Sequence, residues 1–212
     1  MGEYPSIEFA PHAPGHVAFP KIARLNRDIV ITEKIDGTNA AIGIVELPQS
    51  EEGSVMYEVY AQSRNRIITP GKGDNAGFAA WVESIKDIAI EVLGPGLHFG
   101  EWWGNGIQRG YGQATKRFSL FNTARWSDFG TEAVIGVVPV LYEGPFLYPD
   151  DTSDGGYLSP INQTLDALRQ TGSIAAPGYM NPEGIVIYHT AAHTMFKVTL
   201  EGDEKPKGAH PE

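Results

Sequence analysis

The segment Glu33-Lys34-Ile35-Asp36-Gly37-Thr38-Asn39 has the form K-x-D-G, in which a strand ending in a lysine runs into an Asp-Gly turn. Three fixed residues at ordinary frequencies recur by chance in about one chain in forty of this length. Taken alone, the segment therefore reads first as a surface lysine ahead of a hairpin turn. As chemistry, it offers an amine nucleophile. A lysine attacks only as the neutral amine, and a free one with a pKa of about 10.4 is almost wholly protonated at neutral pH. The chain has no cysteine, which excludes disulfides, thiolate nucleophiles and thiolate zinc sites.

The elements that must position this lysine follow from β-branched and aromatic runs and the turn residues that bound them. Strands are predicted over Ile29 to Ile31, Ala40 to Val45, Val55 to Ala61, Leu97 to Trp102, Phe118 to Phe121, Val134 to Tyr142, Gly184 to Tyr188 and Met195 to Leu200. One helix is predicted from the helical spacing of Phe78, Trp81, Val82, Ile85, Ile88, Ala89 and Val92, with Asp74 as its cap and Gly94-Pro95 as its stop. A second helix starts with Ser159 as cap and Pro160 at the first position, and presents Ile161, Leu165 and Leu168 on one side. Strands outnumber helices without regular interleaving. The fold class is therefore α+β, with mainly antiparallel sheets. Residues Trp103 to Gln113 and Glu143 to Tyr157 read as long loops, and Gly202 to Glu212 as a polar tail.

With 212 residues, 42% of them hydrophobic, the chain can bury one sizeable core. It is read as one domain over residues 1–200 and a tail over 201–212. The absence of a membrane-length apolar run and of a secretory signal pattern predicts a soluble, cytoplasmic protein. A formal charge of -10 argues against a general nucleic-acid coat, so any nucleic-acid substrate needs a locally basic groove. Lys21, Arg24 and Arg27 form one basic stretch, for which a solvated surface is the simpler reading.

Other patterns carry less. Gly104-Asn105-Gly106 with Gly110 has the wrong spacing for a dinucleotide loop, and no Walker phosphate loop is present. His189 and His193 flank a turn between strands, which disfavours a metal between them. Trp102, Trp103, Tyr111 and Trp126 are candidates for stacking on bases, with core packing as the simpler reading.

The order Lys34-x-Asp36-Gly37, Ser63-Arg64-Asn65, Phe99-Gly100-Glu101-Trp102, Leu120-Phe121-Asn122, Glu183-Gly184-Ile185-Val186 and Phe196-Lys197-Val198 resembles the collinear motifs of the covalent nucleotidyltransferases. That superfamily includes DNA ligases, RNA ligases and capping enzymes. Asn39, Arg64 and Phe121 make the chain most similar to phage-type ATP-dependent RNA ligases. The likeness runs from residue 33 to 197.

The resemblance implies two mainly antiparallel sheets with flanking helices around a nucleotide cleft, a ligase adenylyltransferase fold of ATP-grasp-like appearance. It implies that ATP and Mg²⁺, with Mn²⁺ as a possible substitute, support transfer of AMP onto Lys34. The AMP would pass to an RNA 5′-phosphate, and a 3′-hydroxyl would then complete the joint. By the same resemblance Lys34 carries the AMP, Lys197 holds the α-phosphate, Glu101 the ribose, Phe121 the adenine and Glu183 the metal. Arg64 would contact phosphate or the RNA end, Asn39 would assist at the nucleotide or phosphate, and Glu33 would frame the adenine pocket. Lys197 and the metal would also disfavour the ammonium form of Lys34.

One departure stands in the last motif, where Thr199 replaces a second lysine. Lys205 or Lys207 could substitute for it. Three rival readings follow: a compact DNA ligase acting on DNA ends, a capping guanylyltransferase that would take GTP, and a non-catalytic sensor of nucleotides or RNA ends. The sequence names no protein partner.

Overall fold

Alternation in the strand β1 (Asp28–Lys34) turns Ile29, Ile31 and Glu33 to a buried face and leaves Val30, Thr32 and Lys34 half-buried on the other. In this computed structural model, which describes residues 18–48, 55–130, 135–146 and 159–202, that strand is central to one of two sheets. Numbering the remaining strands in chain order gives β2 (Thr38–Leu47), β3 (Met56–Ser63), β4 (Ile67–Ile68), β5 (Gly96–Gly104) and β6 (Lys116–Leu120). They are followed by β7 (Ile135–Val137), β8 (Val140–Pro145), β9 (Gly184–His189) and β10 (Thr194–Thr199). The four-stranded sheet has the order β10-β9-β1-β8, and the six-stranded sheet the order β4-β3-β2-β5-β6-β7. All pairings are antiparallel except β6 with β7, so the α+β expectation holds.

Each sheet packs one face on helices. Ile29, Ile31, Ile185 and Ile187 meet Ile161, Leu165 and Leu168 of α3 (Ser159–Thr171). In the larger sheet Ala40, Ile42, Ile44, Trp102, Phe118 and Leu120 pack against α1 (Phe78–Ser84) and α2 (Lys86–Leu93). At roughly 1.5–3 kcal/mol per fully buried large apolar side chain, these two faces hold the molecule together. Among the described residues no helix is long and apolar enough to cross a membrane.

Three expectations are corrected. The single helix predicted after Asp74 is two, separated at Ile85, whose backbone leaves the helical region and whose N–H is shared between the Trp81 and Val82 carbonyls. The Asp74 carboxylate accepts the Gly77 N–H at 2.8 Å, so it closes the turn leading into α1 and does not cap the helix itself. The strand predicted over Val134 to Tyr142 is also two, lying in different sheets. Val138 and Pro139 make the crossing, where proline has no N–H to continue a ladder. The Pro139 carbonyl instead accepts the Glu33 N–H at 3.0 Å. Val134, residues 147–158, and the tail with Lys205 and Lys207 lie outside the described residues.

Candidate active site

Lys34 closes β1 opposite Gly184 of β9, which places it beside Glu183 although 149 residues separate the two. The Lys34 ammonium donates to Glu183 Oε2 at 2.5 Å, with both side chains largely screened from water. The chain then turns sharply under β5. A Cβ at Gly37 would stand 2.4 Å from the Trp102 carbonyl oxygen and 2.8 Å from the Trp103 Cβ. The motif glycine is thus required by the close passage of another strand. In return the Gly37 N–H donates to Glu101 Oε1 at 3.1 Å, drawing the third motif's carboxylate to the first motif's lysine.

Glu101 is the most perturbed of the carboxylates at this cluster. Burial pushes its carboxyl up to about 7, opposed by the charge of Lys34, the Gly37 hydrogen bond and Arg64, and reinforced by Glu183. Asn39 stands opposite Glu101 in the β2–β5 ladder and is half-buried. Arg64 lies exposed beyond the end of β3. Phe121 follows β6 and keeps 37% of its surface exposed, while its N–H donates to the Phe99 carbonyl at 3.0 Å. Lys197 and Thr199 fall in β10 on the face that bears Lys34, with β9 between them and β1. Lys197 is solvent-exposed and, among the described residues, makes no ion pair. The group against Lys34 is therefore the Glu183 carboxylate and not the second cation expected there.

Glu33 is placed elsewhere than expected. It points to the opposite face of β1 from Lys34 and is 1% exposed. Its carboxylate accepts the Ser173 hydroxyl at 2.6 Å and the N–H groups of Ile174 and Ala175 at 2.8 and 2.9 Å. Burial pushes its carboxyl up, against these three donors. The side chain pins the loop after α3 and lines no cleft beside Lys34.

The four aromatic candidates for stacking are buried: Trp102 and Trp126 in the larger core, Trp103 and Tyr111 in a small cluster behind the lysine turn. His189 spends both ring nitrogens within the fold, accepting the Ala192 N–H and facing the Leu25 carbonyl, so no nitrogen is left for a metal.

Three supporting roles escaped the sequence reading. Arg109 Nε pairs with Asp36 Oδ2 at 3.1 Å while its NH1 donates to the Asn181 carbonyl at 3.2 Å, tying the lysine turn to the segment that carries Glu183. The Tyr111 hydroxyl accepts the Asp36 N–H at 3.0 Å. Tyr111 holds a left-handed backbone (φ 50°) within a glycine-rich loop, a conformation L-residues adopt only when their surroundings fix it. Asn75, also left-handed, accepts the Thr38 hydroxyl at 2.8 Å. The glycines flanking Arg109 were the only available signal, and they do not name a partner.

The family model described as RNA ligase matches residues 27–199. The chain belongs to the RNA ligase family. Solved structures of similar fold include a Naegleria gruberi RNA ligase variant with ATP and Mn, at TM-score 0.52 and 16% identity, matched over 84% of this chain and 51% of that one. Another variant of that ligase, with AMP and Mn, matches at TM-score 0.52 and 16% identity over 82% and 50%. An archaeal ATP-dependent RNA ligase matches at TM-score 0.52 and 16% identity over 85% and 48%. This chain spans about half the length of these solved relatives. No curated protein matches the sequence.

Proposed function

We propose that this chain is an ATP-dependent RNA ligase that forms lysyl-AMP on Lys34, passes the AMP to an RNA 5′-phosphate and seals it to a 3′-hydroxyl. The observation that carries the reading is the convergence on Lys34 of Glu183 and Glu101, the latter through the Gly37 N–H, in a chain of the RNA ligase family. In the first step the neutral Nζ of Lys34 attacks the α-phosphorus of ATP. A P–N bond forms, the bond to the bridging oxygen breaks, pyrophosphate leaves and the amine gives up a proton. Before ATP arrives, Glu183 holds the Lys34 ammonium at the end of β1 and is the nearest acceptor for the proton it sheds to become the neutral nucleophile. The second proton, lost as the P–N bond forms, passes to solvent. In the second step a 5′-phosphate oxygen displaces Lys34 from the adenylate. In the third, the 3′-hydroxyl attacks the activated 5′-phosphorus and AMP departs.

This reading divides the roles. Glu101 and Asn39, opposite one another in β2 and β5, face the ribose and nucleotide, and Phe121 offers an exposed ring to adenine. Arg64 and Lys197 supply charge to phosphates from either side. The oxygen donors fit a hard cation such as Mg²⁺ or Mn²⁺: Glu183 would hold it, with nucleotide phosphates and water completing its shell. Among the described residues no three acidic or histidine side chains form a cage of their own. Such a cation, when bound, neutralises charge gathering on the phosphates. A cytoplasmic setting belongs to this reading because ATP and RNA ends are its substrates. Incubation with α-labelled ATP and Mg²⁺, followed by denaturing electrophoresis and peptide mass spectrometry, should find AMP on Lys34. Nick-sealing and end-joining panels of RNA and DNA then fix the substrate, and absence of any adduct from nucleotide-free protein would refute the reading.

A further inference from the structure

We infer that the open face of the six-stranded sheet beyond the nucleotide site is a stacking platform for unpaired bases of the strand whose end is being joined. The inference rests on the ligase reading above and names where that strand lies. One cross-strand row carries Gln62, Ala41 and Phe99, with Phe121 next along beside Phe99. The next row carries Tyr60, Gly43 and Leu97. Both rows sit on the face opposite the helices, since Ala40, Ile42 and Ala61 between them belong to the helical core. Leu97 is 41% and Phe99 45% exposed, two large apolar side chains next to one another on one strand face.

The backbone is shaped for a ring. A Cβ at Gly43 would stand 2.1–2.5 Å from three atoms of the Tyr60 ring, so Tyr60 lies over the central strand and only glycine leaves it room. Rows two residues apart are separated by about 7 Å, which lets neighbouring bases splayed on a sheet each meet one ring. These two rows carry no charged residue; the first carboxylate beyond them on this face is Glu58, opposite Val45. At the other end the next row holds Asn39 and Glu101, and Arg64, Arg66 and Lys72 stand exposed along the turn and loop that follow β3. Rings in the middle with cations at the catalytic end match a single strand, whose bases stack and whose phosphates need neutralising. Continuity with Phe121 sets the direction: the strand end lies at Lys34 and its bases run outward over Phe99, Leu97 and Tyr60.

The test is fluorescence anisotropy of the full chain, without ATP, against a 5′-phosphorylated oligoadenylate and an abasic strand of equal length and phosphate count. The base-bearing strand should bind at least about tenfold tighter, since stacking on one aromatic side chain is worth roughly 1–3 kcal/mol per base. Phe99→Ala with Tyr60→Ala should abolish the preference while affinity for the abasic strand persists, and Phe99→Trp should keep it. Equal binding of both strands by the wild type, or a preference surviving the double substitution with a cooperative melt, overturns the platform. Self-association lost on the same substitutions, with no base preference, overturns it in favour of contact between copies. Adduct formation by wild-type protein with ATP alone tests the ligase reading separately: an adduct without base preference sinks only the platform, and the lack of an adduct sinks the ligase reading, and with it the assignment of the strand end to Lys34, whatever the base preference.

Discussion

Ile29, Ile31, Ile185 and Ile187 of the four-stranded sheet are buried against α3, and the opposite face of that sheet presents Thr32, Lys34, Lys197 and Thr199. The six-stranded sheet buries a core rich in aromatic rings under α1 and α2, yet its opposite face presents Leu97, Phe99 and Phe121. The first face thus sets Lys34 and Lys197 among the exposed apolar side chains of Met195 and Val140, and the second sets the exposed rings of Phe99 and Phe121 beside Glu101. A reaction at phosphorus needs both kinds of surface: charge where bonds change, and rings where a base must be held still. Gly37 and Glu101 join the two at the lysine turn.

The contrast extends to neighbours on one strand, Lys34 and Glu33, and its largest test is Lys34→Ala. Adduct formation should vanish entirely, measured with labelled ATP, while stability falls by only about 1–2 kcal/mol because a half-buried ion pair is lost. Glu33→Ala should do the reverse, costing roughly 4 kcal/mol in urea denaturation by orphaning three donors, while the folded fraction still forms the adduct. If Glu33→Ala abolished adduct formation in folded protein, the division between the two faces of β1 would be wrong.

A smaller effect belongs to Glu101. Its carboxyl is raised from 4.5 to about 7, so the folded protein keeps a proton that the unfolded chain releases in that window. Stability should therefore fall as pH rises from about 4.5 to 7, with the buried Glu33 contributing in the same direction. Glu101→Gln should flatten part of the slope and raise stability at pH 8 by up to about 3 kcal/mol, read from thermal melts across pH. An unchanged slope would show that Glu101 ionises freely.

Smallest is Arg109→Ala, which frees Asp36 and the Asn181 carbonyl from each other. Single-turnover adduct formation should slow about tenfold to a hundredfold at saturating ATP, with a smaller change in KM and partial rescue by Arg109→Lys. A loss confined to KM would place Arg109 in ATP binding and not in the alignment of Lys34 with Glu183.

Much of this was legible before the fold was known. Runs of β-branched and aromatic residues bounded by turn residues gave nearly every strand, and the collinear motifs named Lys34, Glu101 and Glu183, which the fold brings to the lysine turn, and Phe121, which it sets beside Phe99 on the face that bears Glu101. The reading failed where local signals were ambiguous. Val134 to Tyr142 is apolar throughout, so nothing local marked a change of sheet except Pro139. Trp102, Trp103 and Tyr111 look like base-stacking residues in sequence because aromatic character does not encode which face of a strand is covered.

By itself the sequence singled out Lys34 as the candidate nucleophile, the family pattern and an α+β fold with mainly antiparallel sheets, since those depend on residue type and short spacing. Tertiary structure alone decided that Lys34 rests against Glu183, that Gly37 must be glycine because β5 passes above it, and that Arg109 and Tyr111 brace the lysine turn. Those contacts join residues 64 to 149 positions apart. Alternation fixes which way a side chain points, but only strand order and register fix what it meets.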